Sequence, residues 1–440
     1  MGIQNFPAAL QPIIQQGFLE REFQAALHSR LGYRAVADRE EFAVGIGETL
    51  TKTRAGLKPS ITTPLAPATN TNLDNGLVPA SFGVEQYTLT LNFYAATADL
   101  NIVTSRVGIA SQFLLNAAIN GEQAARSLDE LARNALFGAY FGGNTRVRVP
   151  LAVAAAAVDV DDIRGFAAAF VNGVATPVSA GNPLTVTVGS DAYTLVAAAA
   201  DPVNASTAPN GVSGTLTFSG DVTTADAAAG ATVQAATASA ILRPNGGSNT
   251  SQVTAADELD MTTLLSAVAT LRQNAVPEID GAYNCYLDPQ SARQLFNDQA
   301  FQRLFTGATS ANAVYRRGMV NDFLGLRFVP TTEAFVQAHP SIPGALIRRP
   351  IICGKGALIE GDFAGMDQAD MAPKDAIVSI VDNVAMVTRE PIDRLQQIIA
   401  QSWYWIGGFV APSDTTTTPT TVPTANNAAF KRAVMIEHIG

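Results

Sequence analysis

The chain has 440 residues, 47% of them hydrophobic and only 15% charged, with net charge −10, pI near 4.9 and mean hydropathy +0.15. This length exceeds one ordinary core, so two or three domains are expected. The acidic balance argues against a dedicated nucleic-acid binder, which needs a basic footprint. A charge content below the roughly 25% of typical soluble domains points to a chain that buries surface against copies of itself. No lysine occurs between Lys58 and Lys355. Cys285 and Cys353 lie in apolar strand-like runs and read as buried, reduced thiols. The opening Met1–Pro7 has neither the basic flank nor the apolar stretch of a signal peptide. No run approaches the ~18 apolar residues that cross a bilayer, and the Ala-rich patch Leu151–Val158 is far too short, so no membrane partner is expected.

Residues 1–40 read as an arm with one amphipathic helix, its stripe made by Ile13, Ile14, Phe18, Phe23, Ala26 and Leu27. Pro12 sits near its first turn, and such an arm packs on something else. Residues 41–95 read as a long two-legged ribbon. In one leg Phe42, Val44, Ile46 and Leu50 alternate with small or polar residues; in the other Tyr87, Leu89, Leu91 and Phe93 do. The stretch between holds Pro59, Pro64, Pro67 and Pro79 and few apolar anchors. Structureless loops beyond ~15 residues are unusual, and a lone two-stranded ribbon is marginal in water. The segment is therefore either a disordered surface loop or an arm that gains its order on a neighbouring subunit.

Residues 107–141 predict a helix roughly 50 Å long at ~1.5 Å per residue. Ala117, Gly121, Ala124, Leu128, Leu131 and Ala135 form a narrow stripe of mostly small residues, which lets a partner approach closely. A short helix is expected over 159–171. The composition then turns to Ala, Thr, Val, Gly and Ser, and 172–255 reads as an inserted small all-β domain, a barrel or sandwich. Its strands are expected at Leu184–Val188, Tyr193–Val196, Thr215–Phe218 and Thr232–Ala236, with turns at Gly189-Ser190, Asn210-Gly211 and Gly220-Asp221. An α/β pattern fills 256–394. Met261, Leu264, Leu265, Val268 and Leu271 make a helical face that stops near Pro277. A strand at Tyr283–Leu287 leads into Asp288-Pro289, an N-cap and first-turn pair that starts a helix. Phe301, Leu304 and Phe305 mark another helix, and strands follow at Leu324–Val329, Leu346–Cys353 and Ala376–Val381. Residues 395–411 read as a long strand with Trp403 and Trp405 on one face, packed in a core rather than stacked on a sugar. A Thr- and Pro-rich linker and tail occupy 412–440, with a short strand within Phe430–Ile439 that pairs elsewhere.

The block from Ala282 to Thr331, AYNCYLDPQSARQLFNDQAFQRLF and then YRRGMVNDFLGLRFVPT, together with this order of elements, resembles the major capsid proteins of tailed double-stranded-DNA phages. The resemblance implies an α+β Hong Kong 97-like capsid fold: N-terminal arm, extended β-hairpin loop, peripheral domain with a spine helix (96–171 and 395–411) and axial domain (256–394). It implies subunits that self-assemble into pentamers and hexamers of an icosahedral shell enclosing DNA, with a portal protein and a decoration or cement protein as further partners. Inter-subunit contacts are expected at Arg54, Lys58, Asp74, Arg316, Arg317 and Asp362. The arm starts at Met1 without a scaffold segment, so a separate scaffolding protein is expected. Some relatives cross-link a loop lysine to a neighbour's asparagine. Lys52 and Lys58 lie in that region, but no partner or base is identifiable and cross-linking is not predicted.

Catalytic chemistry is not expected. His28, His339 and His438 sit in no motif. There is no G-x-S-x-G, and Gly211-Val-Ser-Gly has the wrong spacing. Gly354-Lys355-Gly356 lacks the rest of a phosphate loop, and neither H-E-x-x-H nor C-x-x-C occurs. Asp159, Asp161 and Asp162 have calcium-like spacing, but Ile163 stands where another oxygen donor belongs. Those carboxylates read as groups at a helix start, and the acidic run Glu360, Asp362, Asp367 and Asp370 as a solvated or inter-subunit loop. No metal or cofactor is expected. The alternatives are a non-viral nanocompartment shell, typically shorter and without an inserted β domain; a multidomain hydrolase, which needs a crowded pocket of titratable groups; and a surface adhesin, which the missing signal peptide disfavours.

Overall fold

A computed structural model describes residues 10, 18–28, 32–42, 49–55, 84–101, 109–171, 174–201, 212–239, 241–247, 249–306, 322–323, 325–339, 342–363, 376–389, 391, 395, 397–412 and 432–440. Its helices are α1 (Phe18–His28), α2 (Ile109–Tyr140), α3 (Met261–Gln273), α4 (Pro289–Asn297) and α5 (Gln299–Thr306). The chain divides into two compact units. One draws on 1–51, 88–133 and 358–410, the other on 52–87, 134–357 and 411–440.

The first unit is a sheet covered by helices. Ile398–Val410 is its central strand, paired antiparallel with Asn92–Asn101, Val384–Arg389 and Leu358–Phe363. Ala37–Phe42 adds to Leu358–Phe363 in parallel. Alternation along the central strand turns Ile399, Trp403 and Trp405 inward, onto Phe113, Ala117, Ala124 and Leu128 of α2. Both tryptophans are therefore core residues, as expected. Phe23 and Leu27 of α1 join the same core. The small stripe on α2 has a physical purpose here: a Cβ on Gly121 would lie 2.7 Å from the Phe23 carbonyl oxygen and 2.9 Å from Ala26 Cβ. The partner that approaches α2 is thus the chain's own arm helix.

Two buried carboxylates tie this unit together. Asp129 of α2 accepts from the backbone N–H groups of Gly32 (3.0 Å) and Arg34 (3.1 Å), and its burial raises its pKa despite these bonds. Arg34 in turn grips Glu360 with Nε at 3.1 Å and Nη2 at 2.6 Å, and donates to the Asp382 carbonyl at 3.0 Å. Glu360 is a buried strand residue and not part of a solvated acidic loop, because Arg34 supplies the charge that makes its burial tolerable.

Gln401 is fully buried among these residues, and neither side-chain amide atom has a partner among the described residues. Desolvating such a group costs about 1–3 kcal/mol. We predict that Gln401→Met, similar in length and apolar, raises the urea unfolding midpoint. An unchanged or lowered midpoint would count against an unpaired amide.

The ribbon differs from its expected register. Thr49–Ala55 pairs with Val84–Thr90 as a separate two-stranded sheet. Phe42 instead ends the strand paired with Leu358–Phe363. The alternation counted from Phe42 merged two strands with different partners. Residues 43–48 and 56–83 lie outside the described residues.

The second unit contains two cores. In the first, six antiparallel strands run in the order Asn144–Arg146, Thr232–Ala235, Leu184–Val188, Asp191–Ala200, Gly214–Val222 and Ala155–Val160. A bridge between Val147 and Val160, with Arg148 N–H to the Asp159 carbonyl at 2.8 Å, links the last strand back to the first. The sheet closes into a small barrel, which removes its open edges. Val158, Val160, Leu184, Val186, Val188, Leu195, Leu216 and Val233 fill it. The barrel thus begins well before residue 172. The helix expected over 159–171 is absent: strand Ala155–Val160 runs into a turn and then a hairpin of Ala168–Val171 with Val174–Pro177. Val158 and Val160 point inward and Asp159 outward, where it accepts from Thr215 Oγ1, so the barrel strand takes the residues that would have started that helix.

The other core is an α/β layer. Tyr283–Leu287 pairs in parallel with Leu326–Pro330, with α4 and α5 in the sequence between them, and antiparallel with Ile351–Cys353. Asp288 caps α4 by accepting from Gln290 N–H, with Pro289 in the first turn, as the sequence predicts. Leu264, Val268 and Leu271 of α3 are buried, whereas Leu265 is exposed. Cys285 and Cys353 are buried free thiols, and burial pushes the Cys285 pKa up to about 12. Ala433–Ile436 is an inner strand of this sheet, between Ile351–Cys353 and Ile241–Leu242.

Candidate functional site

Surfaces built to meet a partner carry exposed apolar side chains. Among the described residues the strand pair Asn92–Asn101 and Ile398–Val410 has one. Its inner face holds Tyr94, Leu100, Ile399, Trp403 and Trp405. On the opposite face Phe93 is 65% exposed and stacks on Tyr404 at 5.7 Å, with Ile398 also exposed along the same strand pair. A sheet with one face to water normally alternates apolar with polar; here both faces carry apolar groups. Helix α2 repeats the pattern, with Leu115 and Ile119, one turn apart, each more than half exposed while Ala117 and Ala124 are buried. Exposed apolar patches of this sort mark interaction surfaces.

Among the described residues one Ser, His and Asp do converge. Ser291 Oγ lies 2.7 Å from His438 Nε2 and also contacts Asp288. His438 Nδ1 lies 2.9 Å from the Ile439 carbonyl oxygen. A carbonyl only accepts, so in the neutral ring Nδ1 carries the proton, and Nε2 and the Asp288 carboxylate share the single hydroxyl proton of Ser291. The wiring is not that of a nucleophilic triad, in which the carboxylate orients the histidine. Here Asp288 touches the serine, Arg348 neutralises Asp288, and Ser291 and His438 are fully buried. The cluster locks the 438–439 segment against the cap of α4, a role hidden in sequence because His438 lies 147 residues from Ser291.

Burial pushes the His438 pKa down to about 4; the Ile439 carbonyl and Asp288 pull it up and Arg348 pushes it down. The unfolded histidine titrates near ~6.5, so it takes a proton before the folded one does. Stability therefore falls as pH drops from ~6.5 to about 4 and levels off below both values. Urea midpoints at pH 7 and pH 4.5 should differ less in His438→Gln than in the wild type; an equal difference removes His438 from the acid response.

The three aspartates weighed as calcium ligands are each engaged separately. Asp161 pairs with Arg146, Asp162 with Arg164 (2.7 Å), and Asp159 with Thr215 (2.6 Å). No group of three potential ligands exists among the described residues.

No protein-family model matches the chain, and no curated protein matches it. In structure it is similar to the capsid of Ralstonia phage GP4, at 10% identity over 93% of this chain and 88% of that one, with a TM-score of 0.50. The fold is that of a phage capsid chain. The Cyanophage Pam1 capsid (10% identity, 93% of each chain, TM-score 0.47) and the capsid of Cyanophage P-SCSP1u (10% identity, 93% of this chain and 88% of that one, TM-score 0.42) are also similar.

Within this capsid fold, Arg54 stands on the ribbon strand Thr49–Ala55, and Asp362 on Leu358–Phe363, in register with Glu41 and Gly407. Lys58, Asp74, Arg316 and Arg317 lie outside the described residues. The exposed Phe93, Leu115 and Ile119 carry no distinguishing signal in the sequence: Phe93 continues the apolar alternation of Tyr87, Leu89 and Leu91, and the marked feature of α2 is its small stripe.

Proposed function

We propose that this chain is the major capsid protein of a tailed phage, with the Hong Kong 97-like fold. Its copies form pentamers and hexamers of an icosahedral shell around double-stranded DNA. The observation that carries this reading is the fold shared with the Ralstonia phage GP4 capsid over 93% of the chain. The apolar faces left exposed among the described residues at Phe93 and at Leu115 and Ile119 support it, since many weak apolar contacts per subunit sum to a stable particle. Net charge −10 suits a wall that encloses DNA without gripping it. No described helix is long and apolar enough to cross a membrane.

In this reading 1–40 is the arm and 41–95 the extended loop laid on a neighbour. Segments 96–171 and 395–411 are the peripheral domain, 172–255 the inserted β domain, which completes its barrel with the strands Asn144–Arg146 and Ala155–Val160 from the preceding segment, 256–394 the axial domain and 412–440 linker and tail. Arg54, Lys58, Asp74, Arg316, Arg317 and Asp362 meet adjacent subunits. A separate scaffolding protein, a portal protein and a decoration or cement protein are the partners, and assembly takes place in the host cytoplasm. The role is structural, without catalysis or cofactor. Electron microscopy of the expressed protein, with and without a candidate scaffolding protein, should show closed shells in at least one condition. Soluble monomers alone in both would overturn the reading.

A further inference from the structure

Two ion clusters of the second unit are joined through one amide. On the barrel, Arg146 Nε donates to Asp161 Oδ2 at 2.5 Å, and Arg146 Nη1 donates to the Ala338 carbonyl at 2.5 Å. Glu437 directly follows the inner strand Ala433–Ile436 of the α/β layer, and Arg243 and Arg349 hold it in a buried clamp. Between the two clusters runs the strand Phe335–Ala338, paired antiparallel with Leu346–Arg349. It carries Gln337, which is 8% exposed. Gln337 Nε2 donates to Asp161 Oδ2 at 3.0 Å, and its Oε1 accepts from Arg349 Nη2 at 2.9 Å.

The partners fix which end of the amide is which, because a carboxylate only accepts and a guanidinium only donates. A neutral amide serves an anion and a cation at once. Leucine there would leave both neighbours one bond short, glutamate would set like charge against Asp161, and lysine would set like charge against Arg349. The strand is also pinned on both sides of Gln337. Phe335 packs on Phe137 at 5.2 Å and on Phe141 at 5.4 Å. His339 Nε2 donates to the Val253 carbonyl at 2.8 Å, and its Nδ1 accepts from Ile342 N–H at 2.9 Å. A displacement of Arg349 or of Asp161 is therefore passed through Gln337 and not absorbed by a sliding strand.

We propose that Gln337 is a positioning residue that couples the barrel to the Glu437 clamp, so that loosening one loosens the other. A continuous hydrogen-bonded network is a physical route for such coupling, and double-mutant cycles measure it. The inference is independent of the shell reading, because it rests on bonds within one unit.

Hydrogen exchange of the full chain tests it. Glu437→Gln alters the clamp, yet it should speed exchange across the barrel strands Leu184–Val188 and Gly214–Val222 about fivefold or more. Reciprocally, Asp161→Asn should speed exchange at Ile351–Cys353 and Ala433–Ile436 by a similar factor. With Gln337→Leu in place, each response should shrink to about twofold or less, the scatter of independent sites. A Glu437→Gln change that leaves the barrel strands unaffected, or one that acts as strongly after Gln337→Leu, overturns the proposal. If Gln337→Leu does not fold, the cycle of Asp161→Asn and Glu437→Gln in the otherwise wild-type chain decides. A combined effect smaller than the sum of the two supports the coupling, and an additive one overturns it.

Discussion

Glu437→Ala should destabilise the second unit by about 3–5 kcal/mol, the cost of breaking a buried ion pair from one side. Glu437 is fully buried between two arginines, with Arg243 Nη2 at 2.6 Å and Arg349 Nε at 2.7 Å, and Thr250 Oγ1 at 3.1 Å. Burial pushes its carboxyl up, but Arg349 and Arg243 outweigh it, so the group stays ionised with a lowered pKa. Arg349 is itself fully buried, lies over the rings of Phe141 (4.4 Å) and Phe335 (4.5 Å), and donates to Gln337 at 2.9 Å. Removing the carboxylate leaves two desolvated cations facing each other. Urea unfolding should show the loss, and hydrogen exchange should rise first over 433–439. Glu437→Ala combined with Arg349→Met should lose less than the sum of the two single changes, because the second change removes a charge that the first leaves unpaired. An additive pair, or a midpoint within error of wild type, refutes the clamp.

Arg34→Ala should cost the first unit a similar amount, about 3–5 kcal/mol. Glu360 is 1% exposed, and after the change the remaining cation beside it would be Arg39, at 3.9 Å and 46% exposed. Solvent-exposed partners contribute about 0–1 kcal/mol, too little to replace a bidentate buried guanidinium. The damage should localise, because Arg34 also holds the Asp382 carbonyl and immediately precedes the edge strand Ala37–Phe42. Exchange at 37–42 and 358–363 should rise together while the barrel is unaffected. Arg34→Met with Glu360→Met should recover most of the loss; failure to recover would mean that Arg34 acts by packing, not by charge.

These two networks also show where sequence reasoning stops. Local signals were legible: the α2 helix from its small stripe, α3 from its apolar spacing, and the start of α4 from Asp288-Pro289. Strands with clean alternation, such as Leu184–Val188, carried their own evidence. Arg34 and Glu360, by contrast, are 326 residues apart, and Arg243 and Glu437 are 194 apart. A charged residue in an apolar strand looks the same whether it faces water or a buried partner. The helix expected over 159–171 fails for a different reason: Asp159, Asp161 and Asp162 look like a helix start, while the strand Ala155–Val160 is set by pairing with the distant strand Gly214–Val222, and a hairpin follows it. The ribbon's true pairing was obscured because Phe42 belongs by alternation to a strand whose partner lies more than 300 residues later. Of the expected contact residues, Arg54 and Asp362 fall on strands, while no sequence signal singled out Phe93, Leu115 or Ile119 as open.

That late pairing has a consequence for biosynthesis. Ala37–Phe42 joins its sheet through Leu358–Phe363, so the first unit cannot close until those residues have left the ribosome. At ~5–20 residues per second, roughly 15–60 s separates the two strands during translation. Throughout that wait the arm helix has made Phe23 and Leu27 but not most of the sheet that will cover them. The nascent chain therefore presents greasy, unmatched surface for far longer than a domain assembled from consecutive segments, and its yield in cells should track the supply of chaperones.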